Sequence, residues 1–202
     1  MANLITLLRF PLLVLVLLLF YPPSLVSRWA AVGLLFILVM MDTLDGFVAR
    51  RRNEVSLLGS ILDIAADRAV EIVLWVCFAD LNLIPLAIPI LVIIRGTLVD
   101  ALRSAGARRG QTPFSITGSK WGKRLVASPL MRTCYGAAKG VAFCGLAVTQ
   151  ALRLYPPGSP QRASLDGFAL FSSIMSWIAV VLCLVRALPV LVEAPTTIRE
   201  ID

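Results

Sequence analysis

Long apolar segments alternate with short polar connections along the whole chain. A helix that crosses the hydrocarbon core of a bilayer needs about 20 mostly apolar residues. Six segments meet that length, at residues 4–22, 29–49, 56–79, 83–102, 134–153 and 167–190. Because these segments occupy most of the chain, the pattern predicts an all-α integral membrane protein with six transmembrane helices and a single domain over residues 1–202.

The composition agrees with a membrane protein and removes several kinds of chemistry. Hydrophobic residues make up 58% and charged residues 15% of the chain, against roughly 45–50% and about 25% in soluble domains, and the mean hydropathy is +0.87. The chain has no histidine, which excludes His-type zinc sites, Ser-His-Asp triads and histidine acid–base catalysis. The four cysteines stand singly in or beside apolar segments, so their spacing indicates neither a disulfide framework nor a metal site.

Basic residues predict the orientation of the chain in the membrane. The formal net charge is +7, and in membrane proteins the excess of Lys and Arg lies in cytoplasmic connections. The connections after the second and fourth segments carry nine basic residues, whereas the opposite connections carry three. The larger set is Arg50, Arg51, Arg52, Arg103, Arg108, Arg109, Lys120, Lys123 and Arg124, and the smaller set is Arg28, Arg153 and Arg162. We therefore expect both termini in the cytoplasm, with membrane lipid and not nucleic acid as the partner of the basic excess.

Four aspartates interrupt the second and third apolar segments. A charged side chain inside a bilayer is costly, and its first interpretation is functional. Asp42 and Asp45 are i,i+3 neighbours on one predicted helix, and Asp63 and Asp67 are i,i+4 neighbours on the next, so each pair projects from one helix face. If the two helices fold antiparallel about a turn near Asn53, the four carboxylates lie at the same depth, roughly 12–20 Å from the turn.

Four carboxylates at one depth predict a metal centre. In a medium of low dielectric constant they repel each other and bind protons unless cations join them. Mg²⁺ and Mn²⁺ prefer oxygen ligands, and four carboxylates are enough to hold two such ions. Two ions close together suit the displacement of a phosphate ester or anhydride. The alternative is that the acids form structural salt bridges with Arg50, Arg68 or Arg95.

The same stretch carries a longer motif. Residues 42–67 fit the pattern D-x2-D-G-x2-A-R-x8-G-x3-D-x3-D. All eight fixed positions are present, namely Asp42, Asp45, Gly46, Ala49, Arg50, Gly59, Asp63 and Asp67. This pattern resembles the signature of the CDP-alcohol phosphotransferase (CDP-alcohol phosphatidyltransferase) family. The chain length, the six apolar segments and the early position of the motif are also similar to that family.

The resemblance implies a reaction and roles for residues. Members of the family transfer a phosphatidyl or related phospho group from a CDP-linked lipid such as CDP-diacylglycerol to an alcohol, and they release CMP. They are usually homodimers in the cell (inner or plasma) membrane, with the site open to the cytoplasm. The residues that match the metal-binding acids are Asp42, Asp45, Asp63 and Asp67, and Asp67 also matches the general base for the acceptor hydroxyl. The residues that match CDP-binding positions are Asp42, Gly46, Ala49, Arg50 and Gly59.

Two other segments bear on the acceptor alcohol. N-L-I-T-L-L-R-F at residues 3–10 and G-S-K-W-G-K-R at residues 118–124 resemble segments of bacterial phosphatidylglycerophosphate synthases, a branch of the family. L-V-A-S then replaces the Lys-Thr continuation of that branch. A phosphorylated acceptor needs cationic partners, for which the candidates are Arg103, Lys120 and Lys123. Glycerol 3-phosphate is therefore the preferred acceptor, and inositol 1-phosphate is the alternative.

Two other classes of protein compete with this interpretation. Clustered carboxylates in a six-helix protein also suit a divalent-cation transport protein, although the sequence shows no internal repeat or broken helix of the kind common in transporters. An intramembrane prenyltransferase resembles a longer chain with paired D-x3-D motifs, whereas this chain has one D-x3-D and one D-x2-D-G. The spacing of the acids therefore favours the phosphotransferase.

Overall fold

A computed structural model describes the backbone of residues 2–52, 57–108 and 129–199 and the side chains of residues 7–41, 59, 62, 64–102 and 130–192. Every regular element in these ranges is a helix, and none is a strand. The helices are α1 (Ala2–Phe20), α2 (Leu25–Arg52), α3 (Leu57–Asp80), α4 (Ala87–Arg108), α5 (Pro129–Leu152), the single turn α6 (Pro160–Ala163) and α7 (Leu165–Arg199). The prediction of an all-α chain is confirmed, and each predicted apolar segment corresponds to one long helix.

Local interactions explain why α2 and α4 begin four residues away from their predicted positions. α2 begins at Leu25 and not at residue 29, because the Ser24 hydroxyl accepts a hydrogen bond of 3.4 Å from the Ser27 amide and acts as an N-cap. α4 begins at Ala87 and not at residue 83. Asn82, next to the predicted start, has a left-handed φ of 53°. Pro85 has no amide hydrogen to contribute to a helix.

Among the described residues, one segment is by itself long and apolar enough to cross a membrane, the 33 residues of Pro160–Val192. Leu7–Phe20 and Leu25–Met41 are apolar over shorter lengths. The chain thus contains a membrane-length apolar helix. The number of spans and the side of the membrane on which the termini lie stay predictions.

The chain divides into two compact units. The first contains Met1–Pro85 and Gly140–Ser173, and the second contains Leu86–Lys139 and Ile174–Asp202. Helices α5 and α7 contribute to both units because each runs across a unit boundary. The single domain over residues 1–202 stays a prediction.

The core of the first unit is a cluster of aromatic rings from α1, α3 and α5. The ring centroid of Phe78 lies 5.6 Å from that of Phe20 and 5.9 Å from that of Phe143. Trp75 meets Phe143 edge-on at 4.6 Å, and all four side chains are buried. Tilted and edge-on contacts at these distances are favourable for aromatic pairs, so this cluster fixes α3 against α1.

Arginine side chains close the connections at one end of this unit. Arg153, just after α5, donates from Nη1 to the Leu81 carbonyl at 2.8 Å and from Nη2 to the Asn82 carbonyl at 2.9 Å. Arg28 near the start of α2 donates from Nη1 to the Gln150 carbonyl at 2.8 Å. Helix C-termini leave carbonyls without intrahelical partners, and these guanidinium groups supply donors where α3 and α5 end.

The second unit has a small apolar core between α4 and α7. Val99, Ala187 and Val190 are buried there, and Leu102 and Leu191 pack against them. Ala187 and Val190 are three residues apart and therefore lie on one face of α7. That face packs against α4.

A glycine in α5 permits close packing against α7 within the first unit. A Cβ built on Gly145 lies 2.5 Å from Ser172 Oγ and 3.4 Å from Ser172 Cβ. The Ser172 hydroxyl is held in place because it donates to the Phe168 carbonyl at 2.6 Å. The position therefore has no room for a methyl group.

We expect Gly145→Ala to lower the free energy of unfolding by about 1–3 kcal/mol, the range for an overpacked interior. Thermal unfolding of the detergent-solubilised protein measures the change. Gly33→Ala in α2 is the matched control, because a Cβ there has nothing within 4 Å. The control should keep the unfolding midpoint or raise it, since alanine is favoured over glycine in a helix by about 0.5–1 kcal/mol. Equal midpoints for the two variants would contradict the close contact.

Candidate active site

The four predicted metal ligands lie on two consecutive helices. Asp42 and Asp45 are in α2, and Asp63 and Asp67 are in α3, which confirms that each pair is spaced along a helix. Among the described side chains, no three His, Cys, Asp or Glu lie together as a metal site. Asp67 is the one predicted metal ligand whose side chain is described. The meeting of the four carboxylates at one depth therefore stays a prediction.

Asp67 combines an open side with a buried cation behind it. Its side chain is 41% exposed, and Arg9 Nη2 on α1 lies 3.9 Å from Asp67 Oδ1. The Arg9 side chain is only 2% exposed. An N···O distance of 3.9 Å is an ion pair without a short hydrogen bond. A partly exposed carboxylate is the hard oxygen donor that Mg²⁺ or Mn²⁺ prefers, so Asp67 fits the role predicted for it.

The packing of α1 explains why Arg9 reaches this position. Arg9, Leu13, Val16 and Phe20 are all buried, and their spacing of four, three and four residues places them on one face of a helix. Phe20 packs against Phe78 of α3 at a centroid distance of 5.6 Å. The buried face of α1 thus runs along α3, with Phe20 near one end of the contact and Arg9 near the other.

Sequence reasoning did not assign Arg9 to the site. Arg9 was considered only as part of the N-terminal segment at residues 3–10, which resembles one branch of the family. A signal was present, because Arg9 is the one charged residue within α1 and a charge in an apolar helix is functional by default. Its partner on α3 was not deducible from the sequence.

A second ion pair lies one turn beyond Asp67 on the same helix. Arg68 Nη1 is 3.6 Å from Glu71 Oε2, and the Glu71 side chain is 2% exposed. Arg68 was a candidate structural partner for the motif acids, and the structure places it beside Glu71. Glu71 belongs to the interior of the first unit, whereas Asp67 keeps an open side.

The remaining predicted site residues are only partly described. Gly59 lies half-buried in the first turn of α3. Nine other predicted site residues lie outside the part of the chain whose side chains are described. They are Asp42, Asp45, Gly46, Ala49, Arg50, Asp63, Arg103, Lys120 and Lys123. Their roles in binding CDP, metal and acceptor phosphate stay predictions.

The second unit contains a pair of cations that sequence reasoning did not identify. Lys139 Nζ lies 5.7 Å from the centroid of the Tyr135 ring, and Arg186 Cζ on α7 lies 5.5 Å from the same centroid. A cation within about 6 Å of an aromatic face is attracted by the ring quadrupole. One tyrosine therefore stabilises two basic side chains from two different helices.

Comparison with known proteins addresses the family directly. The family model described as CDP-alcohol phosphatidyltransferase matches residues 1–185. A CDP-diacylglycerol--glycerol-3-phosphate 3-phosphatidyltransferase of Pseudomonas fluorescens is 34% identical over 143 residues, which cover 70% of this chain and 73% of the relative. The range matched by the family model contains the motif acids of α2 and α3 and ends within α7. The chain therefore belongs to the CDP-alcohol phosphatidyltransferase family.

Proposed function

We propose that the protein transfers the phosphatidyl group of CDP-diacylglycerol to glycerol 3-phosphate and releases CMP. The observation that carries the acceptor is the Pseudomonas relative, whose name gives glycerol 3-phosphate as its substrate and which is 34% identical over 73% of its own length. The N-terminal segment and the G-S-K-W-G-K-R segment, which resemble segments of the same class of enzyme, agree with this acceptor. Membership of the family supports a phosphatidyltransferase whichever alcohol is used.

In the proposed reaction, the acceptor hydroxyl oxygen forms a bond to the phosphorus that carries the diacylglycerol. The bond from that phosphorus to the oxygen of CMP breaks, and CMP leaves with the electron pair. Asp67 receives the proton of the hydroxyl. Because the chain has no histidine, a carboxylate is the side chain suited to this step, and the open side of Asp67 makes it accessible.

A metal centre would be held by Asp42, Asp45, Asp63 and Asp67. Two Mg²⁺ or Mn²⁺ ions there would neutralise the diphosphate and stabilise the CMP leaving group. Asp42, Gly46, Ala49 and Gly59 would line the nucleotide site, where small residues allow close approach to the backbone. Arg50 would lie near the diphosphate.

The protein is proposed to be a multi-pass protein of the cell (inner or plasma) membrane. The membrane-length apolar segment Pro160–Val192 and the other apolar segments of the sequence support six spans. The nine basic residues of the larger set support cytoplasmic termini and a site open to the cytoplasm. The family resemblance supports a homodimer, with membrane lipid as the environment of both acyl chains.

A panel of acceptors tests the proposed function. Purified protein receives CDP-diacylglycerol, Mg²⁺ and one acceptor, and CMP release is measured. Glycerol 3-phosphate should give the highest rate, with inositol 1-phosphate, serine, phosphatidylglycerol and water near background. A preference for inositol 1-phosphate would overturn the acceptor and keep the transferase, whereas no release with any acceptor would refute the transferase.

We expect Lys123→Gln to raise the KM for glycerol 3-phosphate by about tenfold to a hundredfold while kcat stays near the wild-type value. A charge-assisted hydrogen bond contributes about 1.5–3 kcal/mol, and its loss from acceptor binding appears in KM. Arg108→Gln is the matched control, because Arg108, the last residue of α4, belongs to the same set of basic residues and is assigned to membrane orientation. Equal KM values for the two variants would count against Lys123 as an acceptor ligand.

A further inference from the structure

Arg9 occupies an unusual position for a charged side chain. It is the one charged residue of α1, its side chain is 2% exposed, and it lies 3.9 Å from a carboxylate that is 41% exposed. An arginine that anchors a helix to lipid headgroups keeps its guanidinium at the surface. Arg9 is turned inward, so anchoring does not explain its burial.

We propose that Arg9 is a positioning residue for Asp67. Its guanidinium holds the Oδ1 side of the Asp67 carboxylate and leaves the exposed side of that carboxylate facing the acceptor hydroxyl. This inference rests on the proposed function, because it needs Asp67 to act on that hydroxyl. It assigns to α1 a part in catalysis that the motif on α2 and α3 does not contain.

The burial of the two partners supports this direction of action. The face of α1 formed by Arg9, Leu13, Val16 and Phe20 is packed into the first unit, so Arg9 has little freedom to move. Asp67 is the accessible partner, since 41% of its side chain is exposed. A guanidinium remains charged at every pH at which proteins are folded, so Arg9 provides a fixed counter-charge for the exposed carboxylate.

A purely structural ion pair is the competing explanation, and the neighbouring pair shows what it looks like. Glu71 is 2% exposed beside Arg68, which is 25% exposed. There the carboxylate is the buried partner and has no open side. In the Arg9–Asp67 pair the carboxylate is the open partner, which is the arrangement that a reacting group needs.

Steady-state kinetics separate positioning from structure. We expect Arg9→Gln to lower kcat by about tenfold to a hundredfold, the range for outer partners of functional ligands, while both KM values stay within about twofold of wild type. Arg9→Lys should recover part of kcat, because it restores the charge and not the planar fork. Wild-type kcat in Arg9→Gln, or a raised KM with unchanged kcat, would overturn the proposal.

Arg28→Gln is the matched control for the kinetics. Arg28 also lies in the first unit and donates to the Gln150 carbonyl at 2.8 Å, so the same substitution removes a structural arginine. It should lower the thermal unfolding midpoint and leave kcat unchanged. A drop in kcat as large as that of Arg9→Gln would mean that any lost arginine in this unit slows the reaction, which would also overturn the proposal.

A double-mutant cycle tests the pair without the reaction. Unfolding midpoints are measured in EDTA for wild type, Arg9→Gln, Asp67→Asn and the double variant. Asp67→Asn removes a counter-charge from a buried guanidinium, which is destabilising, so the double variant should lose less than the sum of the single losses. Additive losses would refute the pairing. If wild type releases no CMP, the proposed function fails, whereas coupling with unchanged kcat in Arg9→Gln refutes only the positioning role.

Discussion

We expect Asp67→Asn to lower CMP release about 10³-fold, the middle of the range that a general base contributes. Asparagine keeps the size and shape of the side chain, but it neither accepts the proton of the acceptor hydroxyl nor provides a negative ligand for a metal. Asp67 is 41% exposed, so the substitution creates no cavity. The variant should fold, with a modest fall in the unfolding midpoint from the loss of the Arg9 ion pair.

Asp80→Asn on the same helix is the control for this prediction. Asp80 lies at the last residue of α3 and accepts a hydrogen bond of 2.8 Å from the Tyr21 hydroxyl. The substitution is chemically identical but falls outside the motif, so CMP release should stay near wild type. Full activity in Asp67→Asn would remove Asp67 from the proton transfer, and equal losses in the two variants would mean that any lost charge on α3 is damaging.

The helices of this protein were predictable from the sequence because the apolar segments are long. Their ends were less predictable because they depend on local hydrogen bonds and backbone geometry. The start of α2 depends on the Ser24 cap, which precedes the polar residues Ser27 and Arg28. The start of α4 depends on Asn82 and Pro85, which interrupt an apolar stretch that the hydropathy pattern reads as continuous.

The motif acids were predictable because their spacing is local to two neighbouring helices. The Arg9–Asp67 pair was not, because these residues lie 58 positions apart and meet only through the register of α1 against α3. That register is set by packing such as the contact between Phe20 and Phe78. Arg153 shows the same limit. In the sequence Arg153 only adds to the count of basic residues, but in the fold its guanidinium donates to the Leu81 and Asn82 carbonyls.

We expect removal of divalent cations to lower CMP release by about a hundredfold or more. Metal ions supply several kcal/mol of transition-state charge stabilisation, and each 1.36 kcal/mol corresponds to a factor of ten in rate. The enzyme is treated with EDTA, dialysed and assayed with CDP-diacylglycerol and glycerol 3-phosphate. Added Mg²⁺ or Mn²⁺ should restore the rate. Unchanged release after complete chelation would show that the four aspartates act without metal.

Mn²⁺ binding to the substrate-free protein identifies the aspartates that hold the metal. Two ions per chain are expected for wild type, since four carboxylates suffice for two ions. Asp45→Asn should weaken binding, whereas Asp100→Asn on α4, outside the motif, should not.

The same preparations distinguish the transferase from a divalent-cation transport protein. In liposomes, a transport protein moves Mg²⁺ without releasing CMP, and Asp45→Asn reduces that flux. In a transferase the same substitution raises the metal concentration needed for CMP release, because the ion is held for chemistry and does not pass through.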